Sequence, residues 1–293
     1  MTLTAYAAYA KPLGAYYAYV PTLLSPVHPS YLPIGPLDVV GLMRLSSVVN
    51  WVASDTKGKP RASALQEVFG IWVVMCGAET FLSLATGVTP PWLLNPTFPI
   101  VAAVIHLVNT RTPLVKLLPE KPTLALEIAA AVPDAIGRVL LCTRFTTLPI
   151  LYPGTSWLNL PATYSTILLV PFIFAVPFAA FAFTGGNLFA PEVKLTTPAE
   201  LRPWGWTAVD AWIPLFITTL FMMLIGPKKG WRHGFGTYLD EDAAIVVCAI
   251  VTIVIFEARA IWNFAPRPKK SGKSKSKKAK KEKAEKEKEK KSE

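Results

Sequence analysis

Charge is scarce in this chain. Only 17% of its 293 residues are charged, against about 25% in an ordinary soluble domain. Histidine is limited to His28, His106 and His233, with no H-E-x-x-H pair and no Cys/His cluster that would hold zinc. Cysteine is limited to Cys76, Cys142 and Cys248. None forms a C-x-x-C pair and each lies in an apolar stretch, so they read as buried free thiols acting as small hydrophobes. There is no G-x-S-x-G. Ser271-Gly272-Lys273-Ser274 contains G-K-S but lacks the upstream glycine of a phosphate loop. No Asn-x-Ser/Thr sequon occurs, and no basic stretch followed by an apolar run marks a cleavable signal peptide. The expectation is a non-enzyme, with no catalytic residue and no metal site.

What the chain has is apolar length. It is 52% hydrophobic, with a mean hydropathy of +0.38. Apolar stretches recur at 37–54, 64–87, 97–117, 122–145, 162–186, 207–226 and 243–263. About 20 residues in a helix cross the hydrocarbon core of a bilayer. The expected fold is therefore all-α and polytopic, with seven transmembrane helices over residues 37–263. Residues 1–36 carry Tyr6, Tyr9, Tyr16, Tyr17, Tyr19 and Tyr31 among six prolines. Tyrosine favours the membrane interface, so an irregular segment at the headgroup level is expected there.

The net charge of +11 is a property of the tail. Arg267–Glu293 holds 14 basic and 5 acidic residues. The basic signal therefore indicates no nucleic-acid partner. Residues 264–293 are expected to be disordered, because Lys, Glu and Ser cannot bury a core. Lys57, Lys59 and Arg61 follow the first span, Arg111, Lys116 and Lys121 stand at and beyond the end of the third, and Lys194 and Arg202 follow the fifth. By the positive-inside rule these loops and the tail are cytosolic and the amino terminus lumenal. Lys228, Lys229 and Arg232 follow the sixth span on the opposite side and dissent. Lys290 and Lys291, fourth and third from the end, resemble a dilysine retrieval signal of endoplasmic-reticulum membrane proteins. Attraction of the tail to anionic lipid headgroups is a second use.

Ionisable residues inside spans are the functional candidates, since a charge at mid-bilayer costs about 2.5–3.5 kcal/mol and needs a partner or water. They are Arg44, Glu79, Glu127, Asp134, Arg138, Asp210 and Glu257. Glu127, Asp134 and Arg138 fall within about 40° of one another on a helix, a polar stripe facing the bundle interior. The stripe reads either as an ion or lipid-headgroup path or as an internal Asp134–Arg138 pair holding helices together. Arg44 is expected to pair with a carboxylate of another helix, such as Glu79 or Asp134. His106, alone in the third span, reads as a hydrogen-bonded helix contact.

Helix breakers form a second group. Gly70 and Gly77 lie in the second span; Pro171, Pro177, Gly185 and Gly186 lie in the fifth. If spans one to three and four to six are two inverted halves with a final helix added, the breakers occupy the second helix of each half. Interrupted helices at corresponding positions point to a binding or permeation site. The alternative is that these residues are packing contacts.

Several short motifs resemble the trimeric intracellular cation channel family. Pro36-Leu37-Asp38 is similar to its aromatic-Asp opening, and Cys76-Gly77-Ala78 to its Phe-Gly-Gly kink. Leu84 to Gly87, then Pro91 and Leu93-Leu94-Asn95, is similar to the stretch that follows the kink. Pro113-Leu114 stands at its Pro-Leu-Asp site, Arg138 at the arginine of its fourth-span Lys-Glu-Val-x-Arg motif, and Gly185-Gly186-Asn187-Leu188 at its fifth-span break. Asp134 replaces the motif's lysine, Ala135 its glutamate, and Val115 the aspartate after Pro-Leu. The resemblance implies a homotrimer in which each protomer encloses a pore, glycine breaks that bend the pore helices, and a phosphoinositide bound at the fourth-span base, here Arg138. It implies passive flux of monovalent cations, chiefly potassium, across an endoplasmic-reticulum membrane. Glu79, Glu127 and Asp134 would favour cations by their sign. The alternatives are a non-conducting scaffold of the same fold, or a lipid-handling protein or intramembrane enzyme using Asp134 and Glu127 as acid and base.

Overall fold

A computed structural model describes residues 14–29, 32–54, 61–117, 119, 121–152, 158–198, 201–203, 208–228, 230–235 and 238–265. Lys290, Lys291 and nearly all of the expected tail lie outside the described residues. Among those described, regular structure is helical apart from two isolated bridges, His28 with Leu32 and Lys228 with Trp231.

Seven helices are long: α1 Pro36–Ser54, α2 Ala64–Thr86, α3 Thr97–Arg111, α4 Leu124–Cys142, α5 Tyr164–Gly185, α6 Val209–Ile225 and α7 Glu241–Phe264. Their ends follow local chemistry. The hydroxyl of Ser63 accepts from the Gln66 N–H at the start of α2. Gly87 closes that helix at φ 69°, a left-handed turn that glycine takes without a Cβ clash. Thr163 and Thr166 form a capping box on α5, and Asp240 caps α7 through the Ala243 N–H. Pro113 ends α3 early and a 3-10 turn, Pro113–Leu117, follows where the sequence suggested continuing span. The amino-terminal segment is not wholly irregular. Val20–Leu24 is a short helix, with Pro21 in the first turn, where its missing N–H costs nothing.

Two helices depart from regular α geometry. α4 runs through a π-turn, Thr143–Thr147, into Leu148–Leu151. The Thr146 and Thr147 hydroxyls donate to the carbonyls of Leu141 and Cys142, five residues back, at 2.7 and 2.6 Å. α5 is interrupted at Val176, resumes at Pro177, and ends in a second π-turn, Phe181–Gly185.

Three helices, α2, α5 and α7, are long and apolar enough to cross a membrane, and α6 is a shorter apolar helix. Such helices fit a membrane protein. α3 carries an exposed apolar stripe, Ile100, Val104 and Val108, and α7 another, Ile250, Val254 and Ile261.

α4 is central and packs on α1, α5, α6 and α7. α3 packs on α1 and α2; α6 packs likewise on α4 and α5; α2 meets α5. Two apolar cores result. One joins α1, α2 and α3 with Ala182, Leu188 and Phe189 from the end of α5. The other joins α4 to α7 around Ile167, Ile213, Phe221 and Phe256. In lipid, apolar burial no longer drives helix association, so shape and polar contacts must select these partners.

Candidate functional site

Among the described residues, three ion-paired groups join the helices, and a cavity lies apart from them. The first group is Arg44 with Glu127. Arg44 Nη2 contacts Glu127 Oε1 and Oε2 at 2.8 and 2.7 Å, joining α1 to α4. The guanidinium also lies 5.1 Å from the Trp51 ring, whose N–H donates to the Pro119 carbonyl. The expected partners, Glu79 and Asp134, are elsewhere. α1 packs on α4 and so meets Glu127, while Asp134 is turned toward α7.

The second group surrounds Glu67, a completely buried carboxylate on the first turn of α2. Arg61 contacts Oε1 at 2.6 Å and Oε2 at 3.1 Å; Arg111 Nη2 lies 3.0 Å and His106 Nε2 lies 3.2 Å from Oε2. Asn50 Oδ1 accepts from Arg61 Nη1, which ties in α1. His106 is a hydrogen-bonded helix contact, as expected. The sequence does not mark Glu67 and its two arginines as partners, because Arg61 and Arg111 look like charges flanking spans and Glu67 stands at a span's edge.

The third group is a ring of four. Arg138 Nε donates to Asp134 Oδ1 at 3.0 Å within α4, and its Nη2 lies 2.7 Å from Asp210 Oδ1 of α6. Arg259 of α7 donates to Asp210 Oδ2 at 2.7 Å and lies 3.8 Å from Asp134 Oδ2. The fully buried Phe256 ring faces both guanidinium groups, at 5.5 and 4.4 Å. The ring is neutral and only partly shielded, its side chains 23–45% exposed. Arg259 was not singled out in the sequence, although it lies inside the last span. The stripe of Glu127, Asp134 and Arg138 is thus divided among three partner helices rather than left facing a common path.

The cavity, about 650 Å³, lies between α2, the π-turn of α4, α5 and the start of α7. Glu79, Arg144 and Glu241 bring charge to it; Leu141, Phe145 and Phe174 bring apolar wall. The π-turn sets Arg144 and Phe145 outward while Thr143, Thr146 and Thr147 stay buried. Tyr152 donates to Glu241, linking the end of α4 to the start of α7. Glu79 and Glu257 form no ion pair among the described residues, and of the two only Glu79 lines the cavity.

No family model matches the chain, and no curated protein or solved structure is similar to it.

The expected breakers behave differently from one another. α2 passes Gly77 as unbroken helix, and the ring of Phe178 from α5 fills the space where a side chain would be. Gly70 likewise receives Phe189. Gly77 is a packing contact, and the helix is not interrupted there. Pro171 sits within α5 without ending it, whereas Pro177 follows a real interruption at Val176. Gly185 and Gly186 close the helix, Gly186 against the Phe181 ring. No group of His, Cys, Asp or Glu that could hold a metal is found among the described residues.

Proposed function

We propose that this protein passes monovalent cations, chiefly potassium, through an endoplasmic-reticulum-type membrane as charge-balancing flux, and that it does so as a homotrimer. In this reading α1–α3 and α4–α6 are two inverted halves, α7 is the added seventh span, and the cavity is the entrance to the path. One observation carries the reading. Glu79, seven residues from the end of a bilayer-length helix, lines an open cavity and forms no ion pair among the described residues. Seven residues of helix is about 10 Å of depth. An unpaired carboxylate at that depth needs water or a cation, and its field favours cations over anions. The interrupted α5 adds backbone polarity, since Pro177 has no N–H for the Ile173 carbonyl, next to Phe174 on the cavity wall.

Glu127 and Asp134 are not available as path charges while arginines hold them. The four-charge ring instead acts as a barrier that must open for conduction. Arg138 is engaged by Asp134 and Asp210, so a phosphoinositide would have to displace two carboxylates to reach it. The same pairing speaks against Asp134 and Glu127 as an acid–base pair of an enzyme.

The second reading is a non-conducting scaffold. The uninterrupted α2 at Gly77 and the neutral charge ring favour it. Potassium flux into liposomes carrying the purified protein separates the two. The channel reading expects flux above that of empty vesicles, lowered several-fold in Glu79→Gln. An intact oligomer with no flux leaves the scaffold.

A further inference from the structure

The cavity combines charged side chains with an apolar wall. Leu141, Phe145 and Phe174 form much of its wall, and Phe145 is 51% exposed at its rim. Against that wall stand one cation and two anions. Arg144 forms no ion pair among the described residues and neither does Glu79; Glu241 accepts from Tyr152. This combination suits a ligand carrying a phosphate, a primary ammonium and a hydrocarbon chain. A guanidinium pairs with phosphate through directed N–H donors. An ammonium offers three donors, which match the free carboxylate of Glu79 and the remaining acceptor capacity of Glu241. The aromatic and leucine wall covers the start of an acyl chain. Pro91 and Tyr152, just past the ends of α2 and α4, also line the cavity, so it reaches from the level where lipid headgroups lie down to Glu79.

We infer that the cavity is a binding site for the headgroup of an ethanolamine glycerophospholipid, with Arg144 on the phosphate and Glu79 on the ammonium. The inference requires the bundle to sit in a bilayer but does not require conduction. Lipid bound without flux, or flux in vesicles free of ethanolamine lipid, tells the two proposals apart.

The test uses the full chain in detergent and phosphatidylethanolamine labelled on one acyl chain, with unlabelled competitors. Phosphatidylethanolamine should compete at least about tenfold better than phosphatidylglycerol, which lacks the ammonium. Phosphatidylcholine, whose ammonium has no N–H, should fall between them. Glu79→Gln should erase the preference for ethanolamine over glycerol headgroups while Glu79→Asp keeps part of it. Arg144→Gln should weaken all the phospholipids alike. Unchanged melting temperatures for these variants show that the bundle stays folded; if Glu79→Gln lowers it, the Glu79→Asp arm still reads the preference. Free phosphoethanolamine competing as well as the lipid would overturn the lipid assignment in favour of a soluble phosphate ester. Equal binding of ethanolamine and glycerol lipids, or a preference untouched by Glu79→Gln, would overturn the site.

Discussion

The Phe178 ring occupies the place of the side chain that Gly77 lacks: a Cβ at Gly77 would stand 2.7 Å from Phe178 Cγ. This contact joins α2 to α5, the two helices expected to be broken.

Gly77→Ala should therefore act as an overpacking change. Forcing a methyl against a packed ring costs about 1–3 kcal/mol. The expected outcome is a lower melting temperature in detergent, partly restored by adding Phe178→Leu. A Gly77→Ala protein with unchanged melting but altered flux would instead assign the glycine to a pore bend.

Glu67→Ala should be among the most damaging single changes in the chain. It leaves Arg61, Arg111 and the buried His106 facing a void. Removing one partner of a buried ion pair costs about 3–5 kcal/mol. Poor yield of monodisperse protein and a large fall in melting temperature are expected, with Glu67→Gln intermediate because it keeps the shape and one acceptor.

The four-charge ring should behave as a unit. Asp210→Asn leaves Arg138 and Arg259 beside a single aspartate, so it should destabilise. Adding Arg259→Gln should recover part of the loss. A double-mutant cycle should give a coupling of about 0.5–3 kcal/mol. Additive effects in thermal unfolding would show that the ring is not energetically closed. If the ring is the barrier to conduction, the double variant should also raise flux.

Arg44 and Glu127 should tolerate exchange. Arg44→Glu alone sets two carboxylates together, and Glu127→Arg alone sets two guanidinium groups together; each should lower the melting temperature. The combined exchange should recover most of the loss, because the α1–α4 contact requires opposite charges and not a particular order. Failure to recover would mean that the Trp51 stacking of Arg44 matters more than the pair.

The helices themselves were legible because each is an apolar run bounded by local chemistry: Ser63 and Gly87 bracket α2, and Thr163 and Asp240 open α5 and α7. The interruption of α5 was legible at Pro177 for the same reason, since a missing N–H acts on its own turn. Gly77 misled, because a glycine in a helix looks alike in sequence whether it bends the chain or receives a neighbour's ring. Nothing local marks Glu67, at a span's edge, or Arg259, inside the last span, as a member of an ion pair, because the partners come from other helices. The cavity had no sequence signal beyond Glu79, since its π-turn places Arg144 and Phe145 by a shift of register that periodicity does not show.

Composition alone determined that this chain makes apolar helices that fit a bilayer, because backbone polar groups in lipid must be satisfied within each segment. Which carboxylate meets which arginine was decided only by the packing of α4 against four other helices. An ion pair forms between residues far apart in sequence, and nothing local records it. That choice left Glu79, on the cavity wall, without an ion pair among the described residues.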